Sequence, residues 1–411
     1  MEITKELLEA LSEKYGEAFY LLDSSKFVRN YHDLLTAFRD IYPNTFIAYS
    51  YKTNYTPKLC KLVDNLGGYA EIVSEMEYCL ASRIGVEPRH IIFNGPYKSE
   101  KAVEQLLLAG GLVNIDSYYE LDLIQRVARN NTDTPISVGI RCNFDIQAGI
   151  SRFGFDVEED TLHNIFAMLR QYDNITIKGL HCHFPTRTLE SFINRTDKML
   201  NLVKEYFASP PDFISLGGGF FGKMSPVLER QFNYKIPSYR EYAGVIASRV
   251  SDFYRYMEDG RKPKLIIEPG SALVADTMQF VARVINIKAI REKKIATLSG
   301  SIHNINPTLN SKNLPITIYG STNQSGRHNL EDVDFGGYTC IESDYLYKGY
   351  SGSLAIGDHV VFDNVGSYSV VLKPPFILPN FPVIDYNVTT NTAEVVKRKE
   401  EMDDIFRTYS F

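Results

Sequence analysis

In the stretch FIAYSYKTN, residues 46–54, a run of β-forming residues, Phe46 to Tyr51, ends on Lys52. Such a run predicts a buried strand, and a buried amine is costly unless it is paired, neutral or covalently used. A lysine whose head reaches solvent beyond the strand would need no such partner. The residues at the ends of the following strands decide between these two interpretations of Lys52.

The pattern of an apolar strand followed by a helix repeats along residues 46–270. The further strands are YAEIVS (69–74), HIIFNG (90–95), LVNIDS (112–117), PISVGIRC (135–142), TIKGLHCH (176–183), DFISLGGG (212–219) and KLIIEPG (264–270). Ser74 with Glu77, and Ser117 with Glu120, predict capping boxes. Eight alternating strands predict an α/β fold, a (β/α)8 TIM-type barrel, over an open doubly wound sheet.

The carboxyl ends of the strands are the expected site of such a barrel. Those ends carry Lys52, Glu71 and Ser74, Asn94, Asp116, Arg141, His183, Gly217 to Gly219, and Glu268. Each residue alone has an ordinary structural explanation. Their shared position predicts that they converge on one barrel mouth.

A second domain is indicated after about residue 275, where short predicted strands are separated by Gly, Pro and Asn turns. We expect residues 25–270 to form the barrel. We expect residues 1–24 and 271–411 to form a mostly β domain.

Composition narrows the functional classes. The chain has 411 residues, a net charge of -6 and a mean hydropathy of -0.19, with no basic stripe for nucleic acid and no long apolar run for a membrane. The N-terminal segment MEITKELLEALSEKYG lacks the apolar core of a signal peptide. Five widely spaced cysteines form no metal pattern, so we expect no metal site and a cytoplasmic protein with free thiols.

The segment GGGFFG, residues 217–222, formally matches a dinucleotide-binding motif, but no predicted helix opens directly on it. A tight turn that needs positive φ is one explanation. Phosphate binding is the favoured one, because the loops after strands seven and eight commonly bind phosphate in such barrels.

Six motifs together resemble the fold-type III pyridoxal-phosphate decarboxylases, which include diaminopimelate and ornithine decarboxylases. They are YSYKTN, GLHCHF, LGGGFFG, IIEPGS, GGYTCIESD and VGSYS, in that order along nearly the whole chain. The resemblance implies that Lys52 carries pyridoxal 5'-phosphate and that His183 stacks on its ring. It also implies that Glu268 bonds the pyridine nitrogen, Cys340 is catalytic and Tyr368 binds the phosphate.

The resemblance further implies a homodimer in which Cys340 reaches the barrel mouth of the other subunit. We expect the remaining cofactor contacts to come from Glu71, Arg141, Thr186, Gly217, Gly218, Gly219, Gly270 and Ser271. A carboxylate at Glu268 favours a protonated ring nitrogen, which is a strong electron sink. The resembling alanine racemases have an arginine there, so Glu268 favours decarboxylation over racemisation.

Several positions depart from the family pattern. Ser271 replaces the arginine of EPGR, which removes a bidentate phosphate partner. Pro185 and Thr186 replace Gly and Ser, although Thr186 keeps a hydroxyl group.

The expected substrate-binding residues depart as well, and these are Asn306, Ile341, Glu342 and Asp344. Asn306 replaces a carboxylate-binding arginine, and Ile341 occupies a position that is acidic in the relatives. We therefore expect a decarboxylase of an amino acid or an amino-acid-bearing metabolite in a biosynthetic pathway, not of diaminopimelate itself. The alternatives are a non-catalytic homologue that regulates by binding proteins, and an amino-acid racemase.

Overall fold

The computed structural model describes residues 3–146, 150–158, 160–321 and 327–411. The chain divides into two compact units. One comprises residues 30–221 and 237–272, and the other comprises residues 1–29, 222–236 and 273–411. Residues 222–236 therefore cluster with the β-rich unit, although they lie inside the range 25–270 expected for the barrel.

The described residues form strands β1 to β18. In chain order these are Phe19–Leu22, Thr45–Ser50, Tyr69–Ile72, Ile91–Phe93, Leu112–Ile115, Ile136–Asn143, Phe155–Asp156, Ile175–His181, Phe213–Ser215, Lys264–Ile267, Met278–Ile290, Lys293–Leu298, Ile316–Tyr319, His328–Gly336, Tyr345–Leu354, His359–Phe362, Val383–Asn387 and Thr392–Lys397. Each of the eight strands predicted between residues 46 and 270 is present.

The α-helices of the described residues are α1 to α13. They span Lys5–Tyr15, Ser24–Arg39, Pro57–Asn65, Glu75–Arg83, Glu100–Leu108, Tyr118–Asn130, Thr161–Leu169, Leu189–Tyr206, Pro226–Glu229, Tyr239–Phe253, Ser271–Val274, Ile302–Ile305 and Met402–Phe406. Helices separate successive barrel strands, as the alternating sequence pattern predicts.

The eight parallel strands of the first unit close into a barrel. Their order is β5-β4-β3-β2-β10-β9-β8-β6, and β6 pairs again with β5. This closure confirms the predicted (β/α)8 barrel and excludes the open sheet, in which the two edge strands would remain unpaired. The two-residue strand β7 adds to β6 at one end.

The register of the barrel strands aligns polar residues near their carboxyl ends. Ser50 of β2 lies opposite Glu71 of β3, and His181 of β8 lies opposite both Arg141 of β6 and Ser215 of β9. An apolar cluster formed by Ala48, Ile92, Phe213 and Ile266 lies earlier along four of the strands. The barrel interior thus changes from apolar to polar toward the ends where the site was predicted.

The β-rich unit contains a nine-stranded sheet. Strand β1 pairs with β11 and β17, which brings the N-terminal segment into this sheet as the sequence predicts. Helix α1 packs its Leu8 and Leu11 against an apolar cluster that includes Phe19 and Val281. The strands β14, β15 and β18 were not predicted from the sequence.

The predicted helix caps are only partly correct. Ser74 accepts a bond from the Glu77 N–H (3.2 Å), but the Glu77 carboxylate accepts from Val73 N–H (2.7 Å) rather than from Ser74. Ser117 makes no side-chain cap bond, and the Glu120 carboxylate pairs with Lys98 and accepts the N–H of Asp116 instead. The second predicted capping box is therefore wrong.

Candidate active site

The amine of Lys52 lies beside a buried carboxylate. Lys52 sits in the 3-10 turn Tyr51–Thr53 directly after β2, and its Nζ lies 2.8 Å from Glu71 Oε2 and 3.1 Å from Oε1. The Lys52 side chain is 34% exposed, whereas Glu71 is 1% exposed. The strand that opened the sequence analysis thus ends on a paired lysine that solvent can still reach.

Glu71 belongs to a hydrogen-bonded polar layer inside the barrel. Its carboxylate accepts bonds from the Ser50 hydroxyl and from Asn94 Nδ2 (3.1 Å). Asn94 Nδ2 also lies 3.1 Å from Glu268 Oε1, so one amide connects the two carboxylates. Asn114 Nδ2 donates to Asn94 Oδ1 (2.7 Å), which fixes the orientation of that amide.

Glu268 follows β10 and is almost fully buried, yet it is held ionised. Its Oε1 accepts from the Ser215 hydroxyl (2.9 Å), and its Oε2 lies 3.2 Å from His181 Nε2. Burial opposes ionisation, but His181 and the Lys52 charge outweigh it and lower the pKa of Glu268 to about 2. The barrel mouth therefore contains a fixed negative charge at neutral pH. His181 was not singled out from the sequence, although it precedes His183 by two residues.

His183 is held neutral with a defined tautomer. Burial, followed by the Lys52 charge, lowers its pKa well below the usual value. The backbone N–H of Gly218 donates to His183 Nδ1 (3.0 Å), so the remaining ring proton lies on Nε2. A neutral ring at this position presents an uncharged flat surface.

The glycine loop packs directly on the neighbouring strand ends. Gly217 has φ +66°, and a Cβ there would lie 2.4 Å from the Cys182 carbonyl oxygen. A Cβ on Gly218 would lie 2.5 Å from the Glu268 carbonyl oxygen. Close packing and a left-handed backbone thus explain these glycines. Among the described residues, the N–H groups of Gly219 and Phe220 have no hydrogen-bond acceptor, which leaves them available to an anion.

The segment after β10 also lies close to the lysine turn. A Cβ on Gly270 would lie 2.0 Å from the Thr53 hydroxyl, so only glycine fits next to the residue that follows Lys52. Ser271 begins the short helix α11 and is partly exposed. Thr186 is partly exposed too, and its carbonyl oxygen accepts a bond from Arg195.

Two further ion pairs lie near the carboxyl ends of the strands. Arg141 Nη1 binds Asp116 Oδ1 at 2.8 Å, and both side chains are buried. Lys98 Nζ binds Glu120 Oε2 at 2.7 Å, and Glu120 Oε2 also accepts the Asp116 N–H (2.8 Å). Sequence reasoning missed Lys98 because it lies in a loop, not at a strand end. These pairs connect Arg141 to the rigid scaffold.

The carboxylate of Asp344, in the β-rich unit, is hydrogen-bonded to neighbouring residues of that unit. Its Oδ1 accepts the Ile302 N–H (2.7 Å) and the Ser301 hydroxyl (3.1 Å). Its Oδ2 accepts the Thr339 N–H (3.2 Å) and hydroxyl (2.6 Å). Asp344 is 4% exposed. Four donors on one buried carboxylate indicate that it organises the backbone around it, rather than binding a substrate as expected from the sequence.

Asn306 is also engaged within its own segment. Its Nδ2 donates to the Asn310 carbonyl (2.8 Å), and its Oδ1 accepts from the Thr308 hydroxyl (3.1 Å) and from Asn310 Nδ2 (2.9 Å). Both ends of the Asn306 amide are thereby used. The arrangement disfavours the expected direct contact between Asn306 and a substrate.

Ile341, Glu342 and Cys340 are exposed, in contrast to Asp344. Ile341 lines a cavity of about 280 Å³ in the β-rich unit together with His303, Tyr338, Pro374, Pro375 and Phe376. Tyr368 lies in a turn after β16, is partly buried and has φ +63°. The described structure thus leaves Cys340, Ile341 and Glu342 accessible.

Comparison with known proteins identifies the family of the chain. Residues 25–275 match the sequence model of the pyridoxal-dependent decarboxylase family, pyridoxal-binding domain. This match covers more than half of the chain. Pyridoxal phosphate is therefore the cofactor. The reachable amine of Lys52 suits its aldehyde, and the ionised carboxylate of Glu268 suits its pyridine nitrogen. The neutral imidazole of His183 suits its ring, and the free backbone N–H groups of the glycine loop suit its phosphate.

Characterised relatives cover almost the whole chain. Diaminopimelate decarboxylase from Methanocaldococcus jannaschii is 25% identical over 88% of this chain and 84% of its own length. L-glutamyl-[BtrI acyl-carrier protein] decarboxylase from Niallia circulans is 27% identical over 99% of this chain and 97% of its own. The crystal structure of the M. jannaschii enzyme superposes with a TM-score of 0.85 at 23% identity, covering 98% of this chain and 94% of that one. No helix among the described residues is long and apolar enough to cross a membrane.

Proposed function

The chain belongs to the pyridoxal-dependent decarboxylase family and is an amino-acid decarboxylase, and we propose that its substrate has a distal end that is uncharged or joined to a larger group. The proposal rests on the hydrogen bonding of two segments of the β-rich unit. The segments 301–310 and 337–344, called the substrate segments below, use Asn306 and Asp344 internally and present Ile341 to a cavity.

The charges around that cavity support an uncharged distal group. None of the described residues that line it is acidic, so a distal ammonium would find no carboxylate there. Lys373 lines it, but its Nζ donates to Asn380 Oδ1 (2.8 Å), and burial lowers the pKa of Lys373 to about 8. An unpaired charge that is buried on binding costs about 2–5 kcal/mol. Ornithine and lysine are thus poor candidates.

The barrel residues are assigned to the cofactor. Pyridoxal phosphate, when bound, supplies a sink for the electron pair that remains when CO2 leaves. Lys52 would hold the cofactor covalently, and Glu268, which stays ionised, would favour a proton on the pyridine nitrogen. His183 supports the ring with its uncharged face. The Gly217–Gly219 loop would bind the phosphate.

Cys340 supplies the proton that replaces CO2 on the substrate carbon, as a general acid. Its exposure in the β-rich unit supports a role at a surface that a second copy covers. We therefore propose a homodimer in which Cys340 serves the barrel of its partner. This arrangement explains why an accessible thiol and the barrel lysine lie almost 300 residues apart in the sequence.

The Niallia circulans relative supports a carrier-linked substrate, because its name describes a glutamyl group on a carrier protein. Loss of CO2 needs a free α-carboxyl group, so the link to a carrier must use the side-chain carboxyl. Such a substrate carries no charge at its distal end. It therefore matches the apolar wall provided by Ile341.

Diaminopimelate is the second candidate substrate. The likeness to the M. jannaschii enzyme favours it, and Lys373 is the cation that could pair with a distal carboxylate if its ammonium turned away from Asn380.

Steady-state CO2 release separates these candidates. The panel contains diaminopimelate, ornithine, lysine, arginine and a glutamyl side-chain thioester. We expect only the thioester to reach the ordinary enzyme range for kcat/KM, about 10⁴ M⁻¹s⁻¹ or above. Such a value for diaminopimelate or ornithine would refute the proposed substrate class.

A further inference from the structure

Arg195 is a buried arginine behind the glycine loop. It lies on α8 with no exposed surface, and its guanidinium stacks on Phe192 at 4.2 Å. Its Nε donates to Ser191 Oγ (3.0 Å), its Nη1 donates to the Gly218 carbonyl (3.2 Å), and its Nη2 donates to the Thr186 carbonyl. One side chain thus bonds the loops that follow two neighbouring strands, β8 and β9.

The charge of Arg195 is not balanced by a carboxylate. Among the described residues, no Asp or Glu oxygen lies within ion-pair distance of its guanidinium. Burial lowers the pKa of Arg195 to about 10, which still leaves it protonated at neutral pH. A buried cation is costly without an anionic partner. The position therefore calls for an anion that the protein itself does not provide.

The bonds to Arg195 also orient two peptide groups. In a trans peptide, the carbonyl oxygen and the following N–H point in opposite directions, and the described backbone contains no cis peptide. The Gly218 and Thr186 carbonyls face Arg195, so the N–H groups of Gly219 and Arg187 face away from it. Neither of these N–H groups has an acceptor among the described residues.

We propose that Arg195 is the positioning residue of the cofactor phosphate. It fixes the two peptide groups whose N–H donors face the phosphate, and its charge acts through those peptides to keep the phosphate dianionic. Ser271, which directly follows Gly270, has a hydroxyl group but no charge. The positive charge for the phosphate is therefore supplied from α8, behind the loop.

A purely structural role for Arg195 makes different predictions. If it only joined two loops, its loss would weaken pyridoxal and pyridoxal phosphate binding equally. A role in phosphate binding weakens only the phosphorylated form and changes the ionisation of the phosphate. A free phosphate monoester takes up a proton near pH 6, with a pKa of about 6, so its titration is observable.

The first test is the pH dependence of the 31P NMR shift of the holoenzyme. We expect the wild-type shift to stay constant from about pH 5.5 to 8, because the phosphate remains dianionic below its usual pKa of about 6. Arg195→Gln keeps hydrogen bonding without charge and should restore the titration. Arg195→Lys keeps the charge and should retain most of the constant shift. Thr196→Val, a buried change on the same helix turn, should behave as wild type.

The second test compares pyridoxal phosphate with pyridoxal, titrated into the apoprotein. Arg195→Gln should reduce the preference for the phosphorylated form by about 10-fold or more, the effect of losing a charge-assisted interaction. A wild-type phosphate that titrates near pH 6, or an unchanged preference in the variant, would overturn the proposal. The wild-type titration decides the question even if a variant fails to fold.

Discussion

The barrel mouth and the substrate segments handle polar residues in opposite ways. In the barrel, Lys52, Glu71 and Glu268 form a connected layer that solvent reaches at the lysine. In the substrate segments, the polar groups of Asn306 and Asp344 are bonded to backbone and side-chain groups of the same segments. The barrel mouth thus carries a connected polar layer, whereas the substrate segments use their polar groups internally.

This difference separates two levels of specificity. Residues that bind the cofactor must keep their charge, because the electron sink depends on it. In the proposed function, residues that surround the distal end of the substrate can vary, and a buried internal bond is a stable use for an asparagine or aspartate there. The proposal thus keeps the family chemistry and changes only the substrate.

The largest expected effect comes from separating the two regions onto different subunits. Lys52→Ala and Cys340→Ala should each lose activity as homodimers, Lys52→Ala by about 1,000-fold or more, as for a residue at the reacting centre. Random exchange of the two variants places one intact site in each heterodimer, so about a quarter of wild-type sites should return. Lys61→Ala, which removes a lysine paired with Asp64 on α3, is the matched control. Complete exchange without recovered activity would contradict the shared site.

The next effect tests the fixed charge of the barrel. Glu268→Gln keeps the size and the bonds to Asn94 and Ser215 but removes the charge. Turnover should fall by about 100-fold, the usual consequence of losing a preorganised electrostatic interaction, while the yellow colour of the bound cofactor remains. Stopped-flow absorbance and CO2 release measure the two quantities separately. Full turnover in this variant would show that the carboxylate charge is dispensable.

A smaller effect is expected in the substrate segments. Ile341→Asp introduces a carboxylate at the cavity and should raise kcat/KM for ornithine by about two- to five-fold, since a half-exposed ion pair contributes little. Ile341→Asn, polar but uncharged, is the control and should give no gain. Equal gains in both variants would show that polarity, not charge, limits the distal group.

The last prediction concerns Glu77, where we expect an effect on the stability of the fold and the smallest effect on activity. Burial, with the nearby Glu71 charge, raises the pKa of Glu77 to about 7. A raised folded-state pKa stabilises the fold below the ordinary carboxyl pKa, and that contribution is lost as pH rises toward 7. Between pH 4.5 and 7, wild type should lose up to about 3 kcal/mol relative to Glu77→Gln. Parallel urea-denaturation profiles for the two proteins would contradict this assignment.

The sequence predicts the barrel well, because the alternation of strands and helices and the polar residues at the strand ends both indicate that fold. All eight barrel strands are where the pattern places them. The sequence did not predict strands β14 and β15, because β14 is rich in acidic residues and β15 contains Gly349 and Gly352 at positive φ. Strand β16 ends at Phe362, because Asn364 and Tyr368 turn the chain with positive φ.

The proposed site residues divide in the same way. The sequence predicted Lys52, His183 and Glu268, because each ends a strand of the predicted barrel and strand ends converge. Arg195 could not be found, since nothing in the sequence of an amphipathic helix shows that an arginine faces inward. The internal bonds of Asp344 were equally hidden, because they depend on two segments about 40 residues apart.

We propose that the first barrel strand ends on the residue that carries the cofactor. Borohydride reduction of the holoenzyme, followed by peptide mass mapping, tests it most directly. We predict a pyridoxyl group on Lys52, whose amine is paired and reachable. A pyridoxyl group on Lys58 or Lys61, in the helix that follows, would contradict the account.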